Sequence, residues 1–298
     1  MRNLSITHLT LACRPKQWAK NIFVLTPLLF LFSQTEEYTV KQVLTLLPLF
    51  CIFCLAASSV YLINDIGDRK KDREHPKKRF RAIASGRLSV KAATIAASFF
   101  IAVGLIVSFF IGSFELAGAI CSYLIFNLIY TFSLKHIPIV DVFLVGSMYG
   151  IRILSSFIAT SVFPDMWWLW VVCGTLLATA IELGKRKCES MHLGTTGTTR
   201  KTLTFYTEKT MHRMYLAVSL LTSTTFFLAA TPVSLYIALG CSPIIYLAMR
   251  RFNTLISKTE SDIHPQEVIL GDKLILTYLG AFGMIFIASA TQFQLLSL

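Results

Sequence analysis

Charge is what this sequence is short of. Only 15% of its 298 residues are Asp, Glu, Lys or Arg, where a water-soluble domain usually carries about a quarter. Acids are scarcest, 16 against 28 basic residues. The chain also lacks short alternating apolar and polar segments, which excludes a β-barrel. It has no apolar core within residues 1–20, where "ACRPKQWAK" is basic, so no cleaved signal is expected. The six histidines have no metal-ligand spacing. "HLGTTGTTRKT" (192–202) lacks the Gly-Lys-Ser/Thr of a phosphate-binding loop and reads as a cytoplasmic connection. Cys51 and Cys54 form a lone C-x-x-C inside "LFCIFCLAAS". The seven cysteines therefore read as small side chains within apolar helices.

What is present is long apolar runs, amounting to 54% hydrophobic residues. They predict an all-α polytopic membrane protein with nine spans, at about 22–34, 43–63, 92–111, 114–132, 138–160, 166–183, 214–230, 232–249 and 274–296. The first is short for a crossing and borrows residues from Trp18 to Asn21. Pro27, Pro48 and Pro138 are expected to kink their helices, which membrane bundles tolerate.

The basic residues predict the orientation. Four precede the first span, ten lie between spans 2 and 3, one between 4 and 5, seven between 6 and 7 and four between 8 and 9. The opposite connections carry only Lys41, and Arg152 falls inside span 5. This asymmetry puts the N-terminus and the even-to-odd loops in the cytoplasm and the C-terminus outside. The one-sided positive charge suits anionic lipid or an anionic substrate. An intramembrane cation such as Arg152 calls for a partner.

The acids that do occur are concentrated. "YLINDIGDRKKDREHPKKRFRA" (61–82) places Asp65, Asp68 and Asp72 directly after span 2. If the helix continues at 100° per residue, these three and Asn64 share one 100° arc. Three carboxylates and an amide on one face repel unless a cation lies among them. An all-oxygen set suits Mg²⁺, which keeps water and takes substrate phosphate oxygens as well. An ordinary juxtamembrane cluster of i,i+4 ion pairs accounts poorly for the arc, because Asp68 and Asp72 have like charge. After span 6, "IELGKRKCE" (181–189) aligns with "NDIGDRKKD" (64–72), suggesting an internal repeat of 22–135 and 138–273 within one domain. Glu182 meets Asp65 and Glu189 meets Asp72, but Lys185 stands where Asp68 does. Lys185 and Arg186 would bind a phosphate directly, or else anchor the end of span 6. Arg14, Lys16 and Lys20 before span 1 read either as phosphate ligands or as positive-inside flanks. Asp272 lies just before the last span, and the residues alone give it no role.

The N-D-x-x-D-x-x-x-D after the second of nine spans resembles the UbiA superfamily of intramembrane prenyltransferases. "RPKQWAKN" (14–21), "HPKKRFRAIASG" (75–86), "YTFSLK" (130–135), "PIVDV" (138–142) and "LGKR" (183–186) are similar to its phosphoribosyltransferase branch. The resemblance implies a nine-helix bundle with cytoplasmic active-site loops in a bacterial inner membrane. It also implies Mg²⁺ held by the first acidic motif, with Asn64, Asp65, Asp68 and Asp72 as ligands. Lys16, Lys20, Arg81, Tyr130 and Lys135 are implied substrate ligands. The implied reaction passes phosphoribose from phosphoribosyl diphosphate (PRPP) to a polyprenyl phosphate. Nucleic acid is not among the expected partners. An ordinary prenyltransferase, with a prenyl diphosphate donor and an aromatic or haem acceptor, is the competing enzyme reading. A lipid or ion transporter is the competing non-enzyme reading, and it would need charges deep in several spans.

Overall fold

The computed structural model describes residues 6–30, 40–191, 207–257 and 265–296. Among these, all regular structure is helical. The helices are α1 (Ile6–Ala12), a 3₁₀ helix (Pro15–Leu29), α2 (Val40–Gly67), α3 (Arg69–Glu74), α4 (Val90–Phe132), α5 (Val140–Thr160), α6 (Trp167–Met191), α7 (Glu208–Ala230), α8 (Leu235–Ile256), α9 (Pro265–Gly271) and α10 (Lys273–Leu296). Single 3₁₀ turns occupy Lys78–Phe80 and Leu134–His136.

Helix lies on each of the nine apolar runs. Five helices, α2 and α4 to α7, are long and apolar enough to cross a membrane. Spans 3 and 4 both fall within α4, whose regular geometry breaks at Gly112 and Ser113, the two residues separating those runs. Ser113 has φ 74° and ψ −171°, a conformation that otherwise belongs to glycine.

The ends differ from expectation in a consistent way. Residues 31–34 of span 1 lie outside the described residues, as does all of 192–202. The helix of span 1 instead begins at Pro15 and is 3₁₀ throughout. At about 2.0 Å per residue, its 15 residues reach roughly 30 Å, the thickness of a bilayer core. Pro27 and Pro48 lie inside helices. Pro138 does not kink its helix, because α5 starts only at Val140. Helices α6, α7 and α8 run six to eight residues beyond their apolar runs, since the backbone ladder continues readily through Lys, Arg and Glu. Thr207 Oγ1 caps α7 by accepting from the Thr210 amide.

The chain divides into two compact units. One comprises Met1–Pro27, Thr39–Thr131 and Ser155–Val162; the other comprises Leu28–Tyr38, Phe132–Leu154 and Phe163–Leu298. In the first, Leu62, Ile83, Leu88, Ala93 and Ala97 form a buried core. The segment after α3 is thereby pinned down, and Arg73 Nε donates to the Ala84 carbonyl at 3.0 Å. Two residues of the 3₁₀ helix, three apart, bond α2: Trp18 Nε1 donates to Ser58 Oγ (3.2 Å) and Asn21 Nδ2 to Cys54 Sγ (3.3 Å); Val24 and Pro27, at the same spacing, are buried.

In the second unit, Leu183, Tyr215, Met249, Phe252 and Ile256 are buried together with Val142. Tyr215 Oη donates to the Met249 carbonyl at 3.0 Å. Here α5 and α6 approach closely through "GSMYG". A Cβ on Gly146 would sit 2.8 Å from the Thr175 carbonyl oxygen, and one on Gly150 would overlap Thr175 Oγ1. This is the small-xxx-small packing of membrane helices. Arg152, two residues further on, is buried; its Nη1 donates to the Met148 carbonyl at 2.9 Å and its guanidinium lies 5.0 Å from the Tyr149 ring centroid. Gly146→Ala is expected to cost about 1–3 kcal/mol through overpacking and to lower the melting temperature in detergent. Gly280→Ala, where an added Cβ meets nothing within 4 Å, should leave it unchanged or raise it.

Candidate active site

The first acidic motif is built where α2 ends. The helical ladder carries on through the motif: the Asp68 amide donates to the Asn64 carbonyl (2.9 Å) and the Asp72 amide to the Asp68 carbonyl (2.8 Å). Regular helix is nevertheless interrupted inside the motif: α2 ends at Gly67, and Asp68, with φ −83° and ψ 1°, is the N-cap of α3. The arc expected of an unbroken helix therefore does not carry over unchanged to Asp72; Asp65 and Asp72 are both buried. They share one nitrogen. Arg81 Nη1 lies 3.2 Å from Asp65 Oδ1 and 2.7 Å from Asp72 Oδ2. Arg14 Nη2 adds a second contact to Asp65 Oδ1 at 2.5 Å, with its guanidinium 4.9 Å from the Tyr61 ring centroid.

Local structure explains both reaches. Arg14 adopts φ 53° between α1 and the 3₁₀ helix, an uncommon conformation for a non-glycine residue. The Gln17 amide donates to its carbonyl (2.8 Å). Arg81 precedes buried Ala82, Ile83 and Ala84, so its backbone is held while its side chain turns back to α2 and α3. Both guanidiniums remain about a third exposed, Arg14 at 30% and Arg81 at 27%.

Two carboxylates on one nitrogen are close enough to share one cation. Among the described residues no three His, Cys, Asp or Glu side chains converge on a metal position, so Asn64, Asp65, Asp68 and Asp72 do not form a preassembled cage. Mg²⁺ does not need one, because it is usually held by one or two carboxylates plus water and substrate phosphates. The Asp65 and Asp72 pair meets that requirement, and Asp68 is half-buried beside it. Lys16 is exposed and Lys20 half-buried, both on the 3₁₀ helix. Tyr130, near the end of α4, and Lys135, in the turn that follows, are half-buried.

The second motif differs from expectation. Arg186 is fully buried and does not present itself to a ligand. Its Nε contacts Asp141 Oδ2 (3.0 Å), Nη2 contacts Glu182 Oε1 (3.3 Å) and Nη1 contacts Glu189 Oε2 (2.8 Å). Burial removes a guanidinium's hydration, and three carboxylates supply the replacement. The basic group of this motif that reaches outward is Lys185, 41% exposed and 3.6 Å from Glu182 Oε1. Asp141, also fully buried, was not singled out from the sequence. It opens α5 within "PIVDV", 45 residues from Arg186, and no local spacing links the two. Lys187 is buried on the same helix, with Nζ 3.0 Å from Asn253 Oδ1 and 2.5 Å from Ser257 Oγ.

Asp272 gains a role. Its Oδ1 accepts from the Ile275 amide (2.9 Å), which makes it the N-cap of α10, and its Oδ2 meets Arg251 Nη2 at 2.8 Å. The Arg251 hydrogen bond, and then that amide, hold its carboxyl below the usual carboxylate range. A depressed native value means the stabilisation is complete above the unfolded value of about 3.9 and is lost as pH falls through the native one. The hydrogen-exchange protection factors at the start of α10, taken relative to intrinsic rates, should therefore fall below about pH 4, and Asp272→Asn should show reduced protection already at neutral pH.

This arrangement can be set beside known proteins. The UbiA prenyltransferase family matches residues 23–264. The decaprenyl-phosphate phosphoribosyltransferase of Mycolicibacterium smegmatis is 37% identical over 205 residues, covering 68% of this chain and 63% of that protein. The protein of the same name from Corynebacterium glutamicum is 31% identical over 273 residues, covering 89% of this chain and 81% of that one. The chain thus spans less than two thirds of the first relative's length. Among solved structures, a UbiA homolog from Archaeoglobus fulgidus bound to GPP and Mg²⁺ superposes with a TM-score of 0.70 at 17% identity, covering 96% of this chain and 99% of that one. A digeranylgeranylglyceryl phosphate synthase structure gives 0.68 at 18% identity, with the same coverage. These two likenesses establish a shared fold, and the sequence match establishes more: the chain belongs to the UbiA prenyltransferase family.

Proposed function

We propose that this protein is a Mg²⁺-dependent intramembrane transferase that moves 5-phosphoribose from PRPP to a polyprenyl phosphate and releases diphosphate. The observation that carries the reading is the shared nitrogen of Arg81, which brings Asp65 and Asp72 within reach of one cation at the end of an apolar helix. The names of the two bacterial relatives support the substrate pair. We read the nine apolar runs as nine spans in a bacterial inner membrane, with the N-terminus and both acidic motifs cytoplasmic, and the two motifs as halves of an internal repeat.

In this reading Asp65 and Asp72 hold the metal, with Asp68 and Asn64 in the same motif. Held by Asp65 and Asp72, a Mg²⁺ ion would supply positive charge to offset that developing on the departing diphosphate. Arg14 and Arg81, partly exposed, turn from the carboxylates to the phosphates of PRPP, with Lys16 and Lys20 nearby in sequence. Lys185 takes the acceptor's phosphate, and Tyr130 and Lys135 complete the substrate ligands. The chain needs no general base. A phosphate monoester has its second pKa near 6 and is largely a dianion at neutral pH, so its oxygen attacks the anomeric carbon directly. That carbon passes through an oxocarbenium-like state, as in glycosyl transfer. The requirement placed on the protein is to bring a water-soluble donor to the end of a membrane helix, where a lipid phosphate also resides.

The test uses detergent-purified protein with Mg²⁺, radiolabelled PRPP and a polyprenyl phosphate, followed by lipid extraction. Label should enter the lipid fraction, disappear with EDTA and fall by about 10²-fold or more in Asp68→Ala, on the scale of losing one electrostatic transition-state contact. Failure to label the lipid, with consumption of a prenyl diphosphate and an aromatic acceptor instead, would overturn the substrate assignment and favour prenyl transfer.

A further inference from the structure

We propose that Arg186 is a built-in cation that closes the second acidic motif to metal, and that Asp141 is the positioning residue that keeps it there. The proposal rests on the reading of the first motif as the metal site, and it assigns the second motif the opposite property. Asp141 from α5 and Glu182 and Glu189 from α6 each meet Arg186. Three acids this close require a cation among them, and the aligned acids of the first motif are the ones read as metal ligands. Here each of the three guanidinium nitrogens of Arg186 meets a different carboxylate, at 3.0, 3.3 and 2.8 Å. The centre of the cluster is filled by the side chain itself.

The two motifs differ in whether that filling can be undone. Arg14 and Arg81 come from segments outside α2 and α3 and keep a solvent-exposed flank, so rotation of a side chain uncovers Asp65 and Asp72. Arg186 stands on the same helix as Glu182 and Glu189, four residues after one and three before the other. Its side chain is 0% exposed, and Asp141, also 0% exposed, holds Nε from α5. No rotamer takes the guanidinium to water without abandoning three buried or half-buried carboxylates. The second motif therefore offers substrate a fixed frame with Lys185 on its outer side. One metal and one fixed guanidinium suit two chemically different phosphates better than two metals on a single diphosphate would.

Metal counting tests this without relying on turnover. Full-length protein in detergent is titrated with Mn²⁺, and free ion is read by electron paramagnetic resonance. One ion per chain is expected, lost in Asp68→Ala and kept in Glu189→Gln. Arg186→Gln should gain an ion, and Mn²⁺ should raise its melting temperature more than the wild type's. Asp141→Asn should keep the count at one, raise the KM for the polyprenyl phosphate several-fold and leave the KM for PRPP unchanged. Two ions in the wild type overturn the proposal. So does a single ion that survives Asp68→Ala and is lost in Glu189→Gln, or a folded Arg186→Gln that gains none. If Arg186→Gln does not fold, the other four counts decide. A wild-type count of zero leaves the second motif metal-free as proposed and sinks the reading of the first.

Discussion

A charge carried at the end of an apolar helix must be neutralised where it stands, because taking it out of water costs several kcal/mol per ion and the neighbouring side chains are mostly hydrocarbon. Both acidic motifs answer to this constraint. Asp65 and Asp72 are buried and meet Arg81; Arg186 is buried and meets Asp141, Glu182 and Glu189. The packing around each follows from it. The 82–88 segment sinks Ala82, Ile83, Ala84 and Leu88 into the first unit's core, which brings Arg81 back to the helix. The close approach of α5 and α6 at Gly146 and Gly150 belongs to the same helix pair in which Asp141 reaches Arg186.

The same constraint separates a structural pair from one that can exchange partners. A guanidinium a third exposed gives up a carboxylate for a phosphate at modest cost, since water solvates it during the change. A fully buried one strands its partners, at a cost of about 3–5 kcal/mol. The motifs align in sequence, but the bridging cation is differently placed: Arg81 lies nine residues after Asp72, whereas Arg186 lies between its two glutamates. The difference in chemistry proposed for the two motifs follows from where one arginine is encoded.

Sequence reading recovered the apolar helices because a run of apolar residues long enough to cross a bilayer has few other fates. It anticipated that helix runs on past Ile63 into the first acidic motif, but not the break at Asp68, where α2 gives way to α3. It misassigned Arg186, since a basic residue at the end of a span reads the same whether it points to a ligand or into a carboxylate trio. Asp141 had no local signal. Asp272 did have one, an acid between Gly271 and the first residue of a long apolar helix, which is an N-cap pattern. "GSMYG" was likewise visible as a G-x-x-x-G.

The 3₁₀ helix Pro15–Leu29 was the least legible element, and its period has a consequence for how this chain can vary. An α-helix meets a neighbour through positions three and four apart, so a stripe displaced by one turn still finds near neighbours. A 3₁₀ helix eclipses every third residue, and here Trp18 and Asn21 bond α2 while Val24 and Pro27 continue the same row as buried residues. One inserted residue turns the row by 120° and leaves no adjacent position to take over. The stretch from Arg14 to Pro27 can thus change length only in steps of three, a reading frame imposed on the protein by packing.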